Sequence, residues 1–369
     1  MKNVGVAYHE FYEKHDTGYH PERAERVIHT KNQLEELDLF GDGHKSHFHT
    51  IIPRLAELTE IQWCHSPQLI EKIQQLSTRA QKWDELLFTD GTYGDTIISG
   101  SSFTAARYAI GGNFQAIDDI MSQKIDRSFV LCRPPGHHAN NTEARGFCFF
   151  NNIILAAEYL IHKWGLKKVA IIDFDAHAGN GSEEILNNRN AEGEILFFSI
   201  HQHPATLYPG TCFVDEIGEG KQRGKTVNLT VLPYSGQKCI QNLFNQIINP
   251  MMEEFKPEFI LVSAGYDSHH ADTLTAMGLM DQTYSFIIQE LAKMSSKFAK
   301  NRIQCTLEGG YNLVAIGNSI ANTINALAED NVIFVEDDNY DESQKGIEFT
   351  MNQLIPELQD HLKPFWSTF

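Results

Sequence analysis

Asp173, Asp175 and His177 stand at every second position, at the end of the apolar, β-branched run Val169-Ala170-Ile171-Ile172. Such a run reads as a buried strand, and alternate side chains of a strand share a face. Two carboxylates and an imidazole therefore lean to one side where the strand ends, and Gly179 and Gly181 let the chain turn just after them. The set suits a divalent cation of borderline character, such as zinc, bound through nitrogen and oxygen. The competing reading is a strand end whose aspartates cap a turn.

Three further strand ends carry residues of the same kind. Phe129-Val130-Leu131-Cys132 runs into Arg133-Pro134-Pro135-Gly136-His137-His138, where a rigid turn presents two adjacent imidazoles suited to acid–base work. Val262-Ser263-Ala264 delivers Gly265-Tyr266-Asp267. Asp267 would complete an Asp, His, Asp set with one position open for water, as a catalytic zinc requires. His269 and His270 follow, but as adjacent residues pointing opposite ways they read as surface-loop residues rather than ligands. Leu307-Glu308-Gly309-Gly310-Tyr311-Asn312 allows close backbone approach and projects Tyr311 from a loop, as a functional donor or as a packing aromatic.

These ends need a scaffold that brings them to one edge. Strands are expected at 4–10, 129–132, 168–175, 195–201, 227–231, 259–264 and 303–307. Helical patterns lie at 101–112, from 152 to about 163, and at 237–255, 280–299 and 314–328. His15 to Arg26 reads as a polar loop entering a helix, with Pro21 near its first turn. Alternating strand and helix implies an α/β fold, a mostly parallel sheet covered on both faces, and open sheets of this kind hold ligands at the carboxyl ends of their strands. No repeat, low-complexity tract or linker divides the chain, so one domain over residues 1–369 is expected. The acidic cluster Glu336, Asp337, Asp338, Asp341 and Glu342 reads as a solvated loop.

Composition narrows the partners. Forty-two per cent hydrophobic and 21% charged residues are ordinary for a globular protein. A net charge of −18, from 48 acidic against 30 basic residues, argues against direct nucleic-acid binding, which needs a basic face. It fits a cationic ligand such as a basic peptide or a polyamine, although acidity also serves solubility. No apolar run reaches the roughly 20 residues of a membrane helix, and the first residues carry no secretory pattern. Six scattered cysteines without a C-x-x-C pair suit a reducing, cytoplasmic interior; a specialised export route would leave no mark.

Taken together, Arg133-Pro134-Pro135-Gly136-His137-His138-Ala139, Gly146-Phe147-Cys148, Asp173-Phe174-Asp175-Ala176-His177, Gly179-Asn180-Gly181, Ser263-Ala264-Gly265-Tyr266-Asp267 and Leu307-Glu308-Gly309-Gly310-Tyr311-Asn312 resemble the class II branch of the histone deacetylases. That branch, with the bacterial deacetylase-like amidohydrolases and the acetylpolyamine amidohydrolases, has the arginase/deacetylase fold. His20-Pro21-Glu22-Arg23 matches too, so the likeness runs from about residue 15 to 325. It implies a zinc hydrolase that removes an acetyl or related acyl group from lysine side chains of proteins or peptides, histone-like ones included. An acetylpolyamine amidohydrolase is the alternative within the enzymes, and a catalytically silent acyl-lysine binding module the alternative outside them.

The resemblance also implies roles. Asp175, His177 and Asp267 would hold one catalytic zinc. His138 would be the general base and later the acid for the leaving amine, oriented by Asn180. His137 would be its electrostatic partner, bonded to Asp173. Tyr311 would donate to the substrate carbonyl. Gly146, Phe147 and Tyr208 would wall a narrow tunnel with Leu274 at its rim, and Asp90 or Asp95 would meet the substrate backbone. A structural potassium ion would take Asp173, the carbonyls of Asp175, His177 and Ile200, and Ser199. Three departures from the family pattern stand out: Ala178 in place of a second histidine, Tyr208 in place of the more usual phenylalanine, and Leu274 where polyamine-specific members carry a glutamate.

Overall fold

The computed structural model describes residues 1–41, 47–89, 94–330, 332–334 and 339–369. Its strands are β1 (Val4–Ala7), β2 (Phe48–Ile51), β3 (Leu87–Phe88), β4 (Ile97–Ile98), β5 (Arg127–Val130), β6 (Lys168–Asp173), β7 (Glu194–Gln202), β8 (Thr226–Val231), β9 (Phe259–Ala264) and β10 (Ile303–Leu307). β3 and β4 form a small antiparallel ribbon. The other eight make one sheet in the order β2-β1-β5-β10-β9-β6-β7-β8, parallel throughout. The central strands are continuous runs of buried residues because helices cover both faces.

Helices Ser102–Met121 and Asn152–Trp164 pack together over one face, and Glu25–Glu36, Asp281–Phe298 and Leu313–Leu327 over the other. Their ends are set locally. The Asn151 side chain accepts from Ile154 N, and Asn312 accepts from Val314 N and Ala315 N, which satisfies amides a helix leaves unpaired. Gly165 closes the helix Asn152–Trp164 at φ +69.

Register decides where the strand ends fall. Asp173 on β6 is level with Ser263 on β9 and Ser199 on β7, and β10 runs beside both β9 and β5. Five adjacent strands, β5-β10-β9-β6-β7, thus deliver their carboxyl ends to one edge.

Several boundaries differ from expectation. β1 stops at Ala7, and Glu10–Tyr12 forms a 3-10 turn that His9 caps. β5 covers 127–130 rather than 129–132, paired with Val4–Ala7. Pro21 is not in a first helical turn, since that helix spans Glu25–Glu36. The helical segment at 237–255 contains a π turn at Phe244–Ile248. Glu336, Asp337 and Asp338 lie outside the described residues, while Glu342 accepts from Gly236 N and Lys238 N and is no free loop charge.

Candidate active site

A narrow cavity of about 210 Å³ opens over the carboxyl edge of the sheet. Asp95, Pro135, His137, His138, Gly146, Phe147, His177, Tyr208, Leu274, Gly309 and Tyr311 line it. A larger groove of about 860 Å³ lies elsewhere, between the helix Pro67–Trp83 and β3, but it is more open and holds none of the strand-end residues. The strand-end imidazoles and Tyr311 gather in the smaller one.

Asp175, His177 and Asp267 each offer a ligand atom, all within 4.8 Å of one another. His177 Nδ1 is 2.8 Å from Asp267 Oδ2 and 3.1 Å from Asp175 Oδ1. The remaining lone pairs are held by backbone: Asp175 Oδ2 accepts from Gly309 N at 2.8 Å and Asp267 Oδ1 from Ala176 N at 2.9 Å. Gly309 must be a glycine, since a Cβ there would lie 2.5 Å from Asp267 Oδ2 and 2.6 Å from Asp175 Oδ2.

The electrostatics of this trio call for positive charge. Burial alone would push His177 down, yet Asp267 and Asp175 hold it up at about 10. Burial and the Asp175 charge push Asp267 up to about 7. Asp175 goes the other way: burial opposes its ionisation, but His137 and His177 hold it well below the usual carboxylate range. A carboxylate held ionised beside a carboxylate and an imidazole that retain protons, with two anions buried together, is a set a divalent N/O-binding cation fits.

The two imidazoles after β5 part company. His137 Nδ1 sits 3.0 Å from Asp173 Oδ2; against the desolvation that would lower it, Asp175 and Asp173 hold it at about 10. His138 Nδ1 meets the neutral Asn180 Oδ1 at 2.7 Å. Burial, then His137 and His177, push His138 well below its ordinary value. With an amide oxygen as partner, Nδ1 carries the hydrogen and Nε2 is free to accept. Neighbouring titratable groups driven apart in this way mark acid–base assignments.

Gly146 presses against His138 at φ +56, where a Cβ would come within 2.4 Å of His138 Cδ2. Phe147 follows at φ +68, left-handed and held there by its N–H to Thr96 Oγ1 at 3.0 Å. Its ring is 6.0 Å from that of Tyr311 and perpendicular to it, and Tyr208 lies edge-on to His138 at 5.1 Å. Tyr208 and Leu274 are exposed, at the mouth. Burial raises the Tyr311 hydroxyl well above its ordinary pKa, opposed by Arg26, so it stays a donor. Asp95 is in the lining; Asp90 lies outside the described residues.

Asp173 Oδ1 accepts from Asp175 N at 3.1 Å. Ser199 Oγ lies 3.4 Å from Gly179 N and 2.9 Å from His201 Nδ1. Ile200 and Ala178 are both buried. His269 corrects the sequence reading: it is buried, not a surface residue, with Nε2 3.7 Å from Asp281 Oδ1 and its ring stacked on His270.

Sequence reasoning missed the supports. Glu308 Oε2 accepts from Gly136 N at 2.6 Å and His137 N at 3.1 Å. Burial, partly offset by His137, pushes it up to about 7. Asp272 Oδ2 accepts from Tyr311 N at 2.6 Å and Asn312 N at 3.0 Å. Arg26 donates to Gly310 O and Glu308 O, both at 2.6 Å, and its guanidinium is 4.9 Å from the Tyr311 ring centre. Glu22 joins Arg26 at 3.0 Å to Arg133 at 2.5 and 2.7 Å, all buried. The rim gains His20, edge-on to Phe147 at 4.5 Å.

Residues 20–327 match the histone deacetylase domain. A probable deacetylase of Archaeoglobus fulgidus is 34% identical over 311 residues, 84% of this chain and 82% of that protein. Histone deacetylase 10, chloroplastic, of Oryza sativa subsp. japonica is 34% identical over 318 residues, 85% of this chain and 70% of its own. The crystal structure of the HDA15 HD domain superposes with a TM-score of 0.85 at 28% identity, covering 100% of this chain and 97% of that one.

Proposed function

The chain belongs to the histone deacetylase family, and from that premise we propose that it hydrolyses the acetyl, or a related acyl, amide of lysine side chains in proteins or peptides. We read residues 1–369 as one catalytic domain, with zinc at Asp175, His177 and Asp267. The observation that carries the reading is the placement of two imidazoles, His138 on the neutral Asn180 Oδ1 and His137 on the Asp173 carboxylate, side by side in one narrow cavity with that trio and with Tyr311. A zinc ion held there would polarise the acyl carbonyl and make water a stronger acid.

The chain's own residues supply the rest. His138 Nε2 takes the proton of the attacking water, and Nδ1 stays hydrogen-bonded to Asn180 Oδ1 as the ring becomes charged. The same Nε2 then gives the proton to the departing amine. Tyr311, kept protonated, donates to the carbonyl oxygen as negative charge grows on it. His137, paired with Asp173, adds positive potential beneath the site. Gly146, Phe147 and Tyr208 admit a slim methylene stem and exclude bulk water.

Asp173 and Ser199, with the carbonyls of Asp175, His177 and Ile200, are read as a potassium site; the β6–β7 register that sets Asp173 beside Ser199 supports this. Leu274 at the mouth favours an acyl-lysine peptide, since it has no charge for a second ammonium. Asp95 in the lining favours the second reading, an acetylpolyamine amidohydrolase. Six free, buried cysteines suit a reducing compartment such as the cytoplasm. Among the described residues no helix is long and apolar enough to cross a membrane.

The test is kcat/KM of the zinc-loaded protein on acetyl-lysine peptides, longer acyl-lysine peptides and acetylspermidine. The expected result is a preference for acyl-lysine of at least about tenfold. Preference for acetylspermidine promotes the second reading, and no turnover of any of them, with the zinc site full, leaves the binding-module reading.

A further inference from the structure

The helix Asn180–Asn187 grips the segment 137–140 at more points than the ring of His138 alone needs. Asn180 takes the ring. Ser182 N donates to His137 O at 3.1 Å. Gly181 lies so close that a Cβ there would be 2.4 Å from His138 O. One turn beyond Asn180, on the same face of the helix, Glu184 makes two further contacts. Its Oε1 accepts from Arg145 Nη2 at 2.5 Å, and its Oε2 from Asn140 Nδ2 at 2.6 Å. Arg145 in turn donates through Nε to the His138 carbonyl at 2.9 Å.

We infer that Arg145 and Glu184 are positioning residues for His138, bracing its main chain while Asn180 orients its ring. This rests on the reading of His138 as the base. A hydrogen bond at Nδ1 aims Nε2 only if the Cα it hangs from is fixed as well. Arg145 Nε supplies that second point, and Glu184 ties down the same guanidinium through Nη2.

The brace is not a stability device in disguise. The side chains of Arg145 and Glu184 are 25% and 40% exposed, so their ion pair is screened and contributes little to folding. The His138 carbonyl they serve belongs to a buried residue. Neither side chain lines the cavity, so substrate binding does not depend on them directly. The backbone pairing of Arg145 with Cys148, 3.0 Å in each direction, needs no side chain and persists in variants.

The experiment uses the full zinc-loaded chain and an acetyl-lysine peptide. Arg145→Met and Glu184→Leu are expected to lower kcat about ten- to a hundredfold, the effect of a small misplacement of a catalytic group, with KM within about twofold. Glu184→Gln recovers most of the loss, because its amide oxygen still accepts from Arg145. In an Asn140→Ala background, which removes the other Glu184 contact, adding Glu184→Leu to Arg145→Met lowers kcat no further, since what remains of Glu184 acts only through Arg145. Amide hydrogen exchange in Arg145→Met quickens over 138–147 and is unchanged elsewhere. Unchanged kcat, a rise in KM alone, additive losses, or exchange that quickens throughout the protein each overturn the inference. If the wild type turns over neither acyl-lysine nor acetylpolyamine, the functional reading fails on its own, and the exchange measurement still decides whether the brace exists.

Discussion

His138 and Asn180 meet through a single hydrogen bond, ring Nδ1 to amide Oδ1 at 2.7 Å. The acceptor carries no charge, in contrast to the Asp173 carboxylate that holds His137 at 3.0 Å. Burial, then His137 and His177, push His138 well below its ordinary value, and no anion at Nδ1 opposes them, whereas Asp175 and Asp173 hold His137 up at about 10. Asn180→Asp puts an anion at the same place, which favours the charged imidazole. The base works only unprotonated, so the acid limb of the kcat/KM profile moves to higher pH. An unmoved limb would assign the base elsewhere.

Metal removal gives the second expectation. Stripping the protein with a chelator leaves Asp175 and Asp267 as buried neighbouring carboxylates against His177. Activity is lost, and Tm falls because a ligand bound only by the folded state is gone. Zinc restores both, and elemental analysis finds about one equivalent per chain. Full activity in protein shown to be free of divalent metal refutes the assignment.

The third concerns Tyr311 and its seat. Tyr311→Phe lowers kcat by roughly 10²–10³-fold and largely spares KM, as loss of one oxyanion donor does. Asp272→Ala removes the carboxylate that both Tyr311 N and Asn312 N reach, and lowers kcat through the displaced loop. Combining the two costs no more than Tyr311→Phe alone. Additive losses mean that Asp272 acts on something other than Tyr311.

The fourth is a pH effect on stability away from the reaction. Burial pushes Glu183 up to about 7, although Asn228 Nδ2 donates to it at 2.9 Å. The folded protein therefore binds this proton more tightly than the unfolded chain does, between pH 4.5 and about 7. The contribution is fully present below 4.5 and is lost as pH rises through 7. Glu183→Gln escapes that loss and offers an N–H to Asn228 Oδ1, which has no partner among the described residues. At pH 8 its Tm is expected about 2–5 °C above wild type, a gain that vanishes toward pH 4.5. A Tm gain independent of pH shows that charge is not its cause.

What the sequence made legible was what one strand delivers by itself. Asp173, Asp175 and His177 share a strand end, so alternation alone groups them, and Asp267, two residues past Gly265 at the end of an apolar run, carries the same signal. The supports were hidden because they are meetings between distant segments. Nothing around Asp272 announces that it will accept from Tyr311, 39 positions away. Glu308 sits inside the motif that was read for Tyr311, yet its partners Gly136 and His137 lie 172 and 171 positions back. His269 misled for the opposite reason: a polar doublet in a loop looks exposed until Asp281 and Tyr284 close over it. Short edge strands such as β2, with two of four residues exposed, leave no apolar run to detect.

Arg26 and Gly310 are 284 residues apart in the chain. A ribosome adding about 5–20 residues each second needs some 15–60 s to cover that interval. Throughout it, Arg26 has no Gly310 or Glu308 carbonyl to hold, and the loop that carries Tyr311 does not yet exist. Arg26 thus meets the loop that carries Tyr311 only after β10 has left the ribosome, so a charge near the start of the chain waits for a partner made almost at its far end.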